Sequence, residues 1–143
     1  MHSTVDAVYW PERSTKWARP LFLASVSAGF PSPAEDYIEG RLDLNKHLIK
    51  HPVATFYVRV AGDSMIDAGI HPGSILVVDR AVEADDGDIV IARINDELCV
   101  KRLSIKEGKV WLLPENAAYE PIEVTEEMDF EVWGRVMHSI HSH

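Results

Sequence analysis

Glu97-Leu98-Cys99-Val100-Lys101-Arg102-Leu103 reads as a β-strand, and its alternation sets one unusual residue apart. With a period of two, Lys101 shares a face with Cys99 and Leu103, while Leu98, Val100 and Arg102 occupy the other. Lysine on an apolar strand face loses hydration, which disfavours the ammonium and lowers its pKa. Ser64 stands thirty-seven residues upstream, within Gly62-Asp63-Ser64-Met65. A serine hydroxyl attacks poorly unless a neighbour takes its proton, and a lysine amine takes it only when neutral. The two residues therefore read as a nucleophile and its general base. Gly-Asp-Ser is also an ordinary turn sequence, and strands carry lysine without chemistry, so the pair needs support from its surroundings.

Short strand-like runs surround it. They are Thr55 to Val60, Ser74 to Asp79, Asp88 to Ile94, Leu98 to Ile105, Val110 to Leu113 and Phe130 to Val136, rich in valine, isoleucine and aromatics and separated by Gly or Asp turn signals. That composition predicts a mainly β, predominantly antiparallel domain. Asp43 to Lys50 predicts a short amphipathic helix capped by Asp43, and Pro31 and Pro33 impose an extended path before it. Residues 1–20 show no sustained period and read as an arm, too short and irregular for a helix-turn-helix unit.

The chain has 143 residues, enough for one domain, and 46% apolar with 26% charged residues is ordinary for a globular protein. Net charge is −9, of which residues 1–28 contribute +1 and the other 115 residues −10. An acidic body repels phosphate backbones, so tight direct DNA binding is not expected as its main task, little of it is expected at all, and protein partners are. A lone cysteine, Cys99, forms no internal disulfide and suits a reducing cytoplasm. No membrane-spanning run exists. Leu21 to Ala28 imitates the end of a signal peptide, but its apolar run of roughly six residues falls short of the ~7–15 an export core uses.

From Ala28 onward the chain resembles the UmuD family of self-cleaving SOS mutagenesis proteins, relatives of the LexA repressor. The resemblance rests on Ala28-Gly29-Phe30-Pro31-Ser32-Pro33-Ala34, on Asp43-Leu44-Asn45 with His51-Pro52, and on Gly62-Asp63-Ser64-Met65-Ile66-Asp67 with Gly69-Ile70. Gly87-Asp88-Ile89-Val90 and Val100-Lys101 complete it, in matching order along about 115 residues. It implies a compact antiparallel β domain of the LexA/UmuD peptidase type, β-clip-like, with a short helix and an extended N-terminal arm. It also implies self-cleavage between Ala28 and Gly29, with Ser64 as nucleophile and Lys101 as general base. The arm, residues 1–28, would be removed from a peptidase domain of residues 29–143. Alanine before the glycine is the LexA-like choice, where UmuD has cysteine. The implied partners are a second copy in a homodimer, a RecA filament on single-stranded DNA that stimulates cutting, and a UmuC-like translesion polymerase served by the trimmed dimer. No cofactor is implied.

Ala28 and Gly29 suit a cut bond physically, because small residues let a carbonyl come within about 3–3.5 Å of an oxygen in a narrow cleft. Gly62, Asp63 and Met65 would support the turn and its oxyanion donors. Leu21 to Val26 could dock as an added strand at a sheet edge, or simply form an N-terminal core strand. Asp63, Asp67 and Asp79 read as turn caps more than as a metal site, and His138, His141 and His143 as a solvated tail. Trp111 and Trp133 read as packing residues. Competing functions are a non-catalytic interaction module for polymerase or filament, a LexA-type repressor domain without its DNA-binding half, and a signal-peptidase-like enzyme lacking an anchor.

Overall fold

The structure is a computed structural model that describes residues 3–12, 18–22 and 38–143. It divides into two compact units, one of residues 1–11 with 51–143 and the other of residues 12–50.

The elements in chain order are β1 (Thr4–Tyr9), β2 (Ala18–Phe22), β3 (Ile38–Asp43), α1 (Leu44–Leu48), β4 (Thr55–Ala61), β5 (Ile75–Asp79), β6 (Ile89–Ile94), β7 (Glu97–Lys106), β8 (Lys109–Leu113), β9 (Ile122–Val124) and β10 (Phe130–Ile140). In the smaller unit β2 pairs antiparallel with β3, Ala18 opposite Asp43 and Leu21 opposite Gly40. Helix α1 follows directly, and the Asp43 carboxylate accepts from the Asn45 amide at 3.0 Å, the cap expected of that residue.

The larger unit is an antiparallel sheet in the order β1-β4-β5-β10-β6-β7-β8-β9, and β1 also pairs with β7. That last pairing closes six strands, β1-β4-β5-β10-β6-β7, into a ring, with β8 and β9 extending beyond it. Closure satisfies strand edges that would otherwise expose bare amides and carbonyls. Among the described residues no helix is long and apolar enough to cross a membrane.

The alternation along the strands explains the core. Phe56, Val58 and Val60 of β4 join Met65, Leu76, Val78, Ile91 and Val100 in one buried cluster, whereas Val90, Ala92, Cys99, Leu103 and Leu112 form a second. Neighbouring residues of β6 and β7 thus feed opposite faces, as a period of two requires. Trp133 packs edge-on to Phe56, with centroids 6.3 Å apart, so its packing role is as expected. At the base of β4, Asp79 is buried, accepts from the Ala81 amide at 2.8 Å and lies 2.5 Å from His51 Nδ1. Asp79 therefore serves the scaffold, apart from Asp63 and Asp67.

Two differences from the sequence reading matter. The expectation of an irregular arm over residues 1–20 is corrected for Thr4–Tyr9, which form a strand of the principal sheet, and for residues 18–20, which begin β2. The last strand runs on to Ile140, past the expected end at Val136, because bulges near Gly134 and between Val136 and His138 let it switch its pairing from β6 to β5.

Gly134 shows how tightly that strand packs. A Cβ there would lie 2.8 Å from Val78 Cγ1 and 3.0 Å from the Asp79 carbonyl oxygen. Gly134→Ala is expected to cost about 1–3 kcal/mol through overpacking, read as a thermal midpoint lowered by several degrees.

Candidate active site

The hairpin joining β6 to β7 determines where Lys101 points. Asn95 takes a left-handed φ of 55° in the turn, Ile94 pairs with Glu97, and the register runs on to Val90 opposite Lys101. A slip of one residue would turn Lys101 to the other face. Fully buried on β7, it has its Nζ 2.6 Å from Ser64 Oγ. Burial pushes the amine down to about 8, with Cys99 opposing the shift slightly. The adjoining Cys99 thiol is pushed up to about 11, chiefly by burial, which keeps it protonated near neutral pH.

Ser64 follows β4 on a turn begun by Gly62, whose φ of 81° favours glycine. Met65 beside it is fully buried in the first cluster and anchors the turn from below. One 3₁₀ turn, Ile66–Ala68, follows and ends at Gly69 with φ 79°. Gly62, Ser64 and Met65 stand together in the sequence as a turn, but nothing there shows what holds that turn from above. The segment after β8 clamps it: the Glu115 amide donates to the Ser64 carbonyl at 2.8 Å, and the Asp67 amide donates to the Glu115 carbonyl at 2.8 Å. Asn116 Nδ2 donates to the Asp63 carbonyl at 3.0 Å, and the Tyr119 hydroxyl to Asp63 Oδ1 at 2.5 Å. Asp63 holds the Tyr119 hydroxyl proton more firmly and raises its pKa. Arg102 ties the same segment to β7 by an ion pair with Glu115. A pattern of Pro-Glu-Asn ahead of a tyrosine signals only a turn, so this clamp was not visible in the sequence.

A second missed contact comes from the N-terminal strand. The Ser3 amide donates to Ser64 Oγ at 2.6 Å, so the hydroxyl oxygen meets both that amide and the Lys101 amine. Ala28 and Gly29 lie outside the described residues, as do residues 23–26 of the expected docking run. Leu21 and Phe22 of that run belong to β2.

A buried hydroxyl touching a desolvated amine is the arrangement that serine–lysine hydrolysis requires. Residues 20–137 match the family described as Peptidase S24-like. The protein SamA of Salmonella typhimurium strain LT2 is 49% identical over 122 residues, which cover 85% of this chain and 84% of SamA. The protein ImpA of Escherichia coli is 44% identical over 137 residues, 92% of this chain and 89% of ImpA. The protein MucA of Escherichia coli is 42% identical over 125 residues, 87% of this chain and 85% of MucA. The chain belongs to the S24 peptidase family, and within it to the UmuD-like proteins.

The burial of Lys101 has a consequence for stability that does not depend on chemistry. An amine lowered from its usual 10.5 to about 8 binds fewer protons when folded than when unfolded between those values, so folding gains stability as pH rises through that window. Lys101→Met keeps the volume and removes the charge. The variant is expected to be more stable than the parent at pH 7, by on the order of 1–3 kcal/mol, with the advantage shrinking toward pH 10; urea titration at both pH values measures it.

Proposed function

We propose that this chain is a self-cleaving serine peptidase that cuts its own Ala28–Gly29 bond, with Ser64 as nucleophile and Lys101 as general base. The observation that carries the reading is the buried amine 2.6 Å from the buried hydroxyl. Neutral Lys101 takes the Ser64 proton as Oγ attacks the Ala28 carbonyl carbon. The backbone amides of the turn built by Gly62, Asp63 and Met65 receive the developing negative charge. The C–N bond then breaks, the proton passes from Nζ to the departing Gly29 nitrogen, and Ala28 remains as an ester on Ser64 until water hydrolyses it.

The trimmed chain, residues 29–143, then acts in the cytoplasm as a homodimer serving a UmuC-like translesion polymerase, and a RecA filament on single-stranded DNA stimulates the cut. Membership of the UmuD-like proteins supports these partners, and the −10 charge of residues 29–143 fits protein partners better than bare DNA. A non-catalytic interaction module would have no use for a desolvated lysine, whose burial costs stability.

With a pKa of about 8, roughly a tenth of the Lys101 amines are neutral at pH 7. The rate of self-cleavage is expected to rise about tenfold per pH unit below pH 8 and to level off above pH 9. Lys101→Ala is expected to slow it by about 10²–10⁴-fold. Mass spectrometry of the fragment beginning at Gly29 checks both. Absence of that fragment at any pH, or parental speed in Ser64→Ala, contradicts the proposal.

A further inference from the structure

The N-terminal strand fills the space between two strands that the candidate site needs. β4 leads into the Ser64 turn and β7 carries Lys101, and these two do not pair with each other; β1 lies between them. It runs antiparallel to β4, with Thr4 opposite Ala61 and Val8 opposite Val58, and meets β7 where Thr4 faces Cys99. The Val100 amide donates to the Ser3 carbonyl at 3.2 Å. At its end the Ser3 amide donates to Ser64 Oγ. We propose that the β4–β7 groove is a strand-acceptor site whose resident occupant is the chain's own Ser3–Tyr9 segment, a plug that must leave before the bond to be cut can enter.

The chemistry of the contact is that of a blocked state. An attacking oxygen needs a lone pair aimed at a carbonyl carbon about 3–3.5 Å away. Here an N–H donor sits on that oxygen at 2.6 Å and takes up a lone pair. Strand addition of this kind draws affinity from main-chain hydrogen bonds, so one extended segment replaces another without a tailored side-chain set.

The occupant is also built to leave. Val8, Tyr9 and Trp10 are exposed, at 39%, 47% and 63%, so the apolar hold on the outer end of the strand is partial, its ring contact being Trp10 on Phe56 with centroids 5.8 Å apart. The Ser3 hydroxyl is buried without a hydrogen-bond partner among the described residues, an arrangement that costs about 1–3 kcal/mol and is relieved when the strand departs. If the groove is open only a fraction of the time, the cutting rate falls by that same fraction. A partner that captured Ser3–Tyr9, or held the groove open, would accelerate cutting without touching Ser64 or Lys101.

The regulatory half of this inference rests on self-cleavage at Ala28–Gly29, and the structural half does not. Thr4 opposite Cys99 offers a test in the full chain, because directly paired residues of antiparallel strands lie about 4.5–5.5 Å apart, within disulfide range. Thr4→Cys treated with a thiol oxidant is expected to form a disulfide between the introduced thiol and Cys99, identified by peptide mapping. Samples stopped and then reduced before mass analysis should show the Ala28–Gly29 bond cut at least tenfold more slowly in protein that was oxidised during incubation than in the same protein kept reduced throughout. Ser3→Pro, which removes the N–H donor, should cut several-fold faster than the parent. Failure of the disulfide to form overturns the plug, as does equal cutting by oxidised and reduced protein, or a fragment that begins at Ser3. If the disulfide forms but no protein releases a Gly29 fragment, self-cleavage is the reading that falls, and the strand's seat in the groove stands.

Discussion

The site depends on keeping one amine dry. Lys101 is fully buried, and its contact with Ser64 Oγ is the feature around which the other elements are arranged. Burying an ammonium costs far more than burying an amine, so the fold bears a penalty at low pH that only neutral lysine relieves. The scaffold meets that penalty with two apolar clusters on either face of β6 and β7, and with a hairpin register that leaves Lys101 only one orientation.

Ser64 is held by a different strategy. For the proposed cleavage its hydroxyl has to be rigid enough to meet Lys101 and free enough to meet a carbonyl. Met65 anchors the turn in the core, Glu115 and Asn116 grip its backbone, and the Tyr119 hydroxyl pins Asp63. The amine thus comes from a strand and the hydroxyl from a clamped turn, an arrangement suited to positioning within fractions of an ångström. Between them runs a groove that accepts a strand, and in this structure the chain's own N-terminus occupies it.

Much of this was legible in the residues. Alternation around Lys101 located it on a face with Cys99 and Leu103, all three of which are buried. Six of the strands were visible because valine, isoleucine and aromatic runs end at Gly or Asp. The N-terminal strand was not, because Thr4-Val5-Asp6-Ala7-Val8-Tyr9 alternates poorly and a bulge between Val5 and Ala7 breaks its register; it is a strand because β4 and β7 offer edges far along the chain, Tyr57 to Ala61 and Cys99. β9 is only three residues long and β3 carries a glycine, so neither stands out locally. The clamp from Glu115 to Tyr119 was invisible for the same reason: its function lies in contacts far along the chain, which no local pattern encodes.

The most direct measurement of the central claim is the pKa of Lys101 itself. In Ser64→Ala protein carrying ¹³C-labelled lysine, the Lys101 side-chain resonance, assigned by its loss in a Lys101→Met counterpart, can be followed from pH 6 to 11. A midpoint near 8 is expected from burial. A midpoint at or above 10 would mean that the amine is hydrated and charged at neutral pH, and no neutral base would then be available to Ser64.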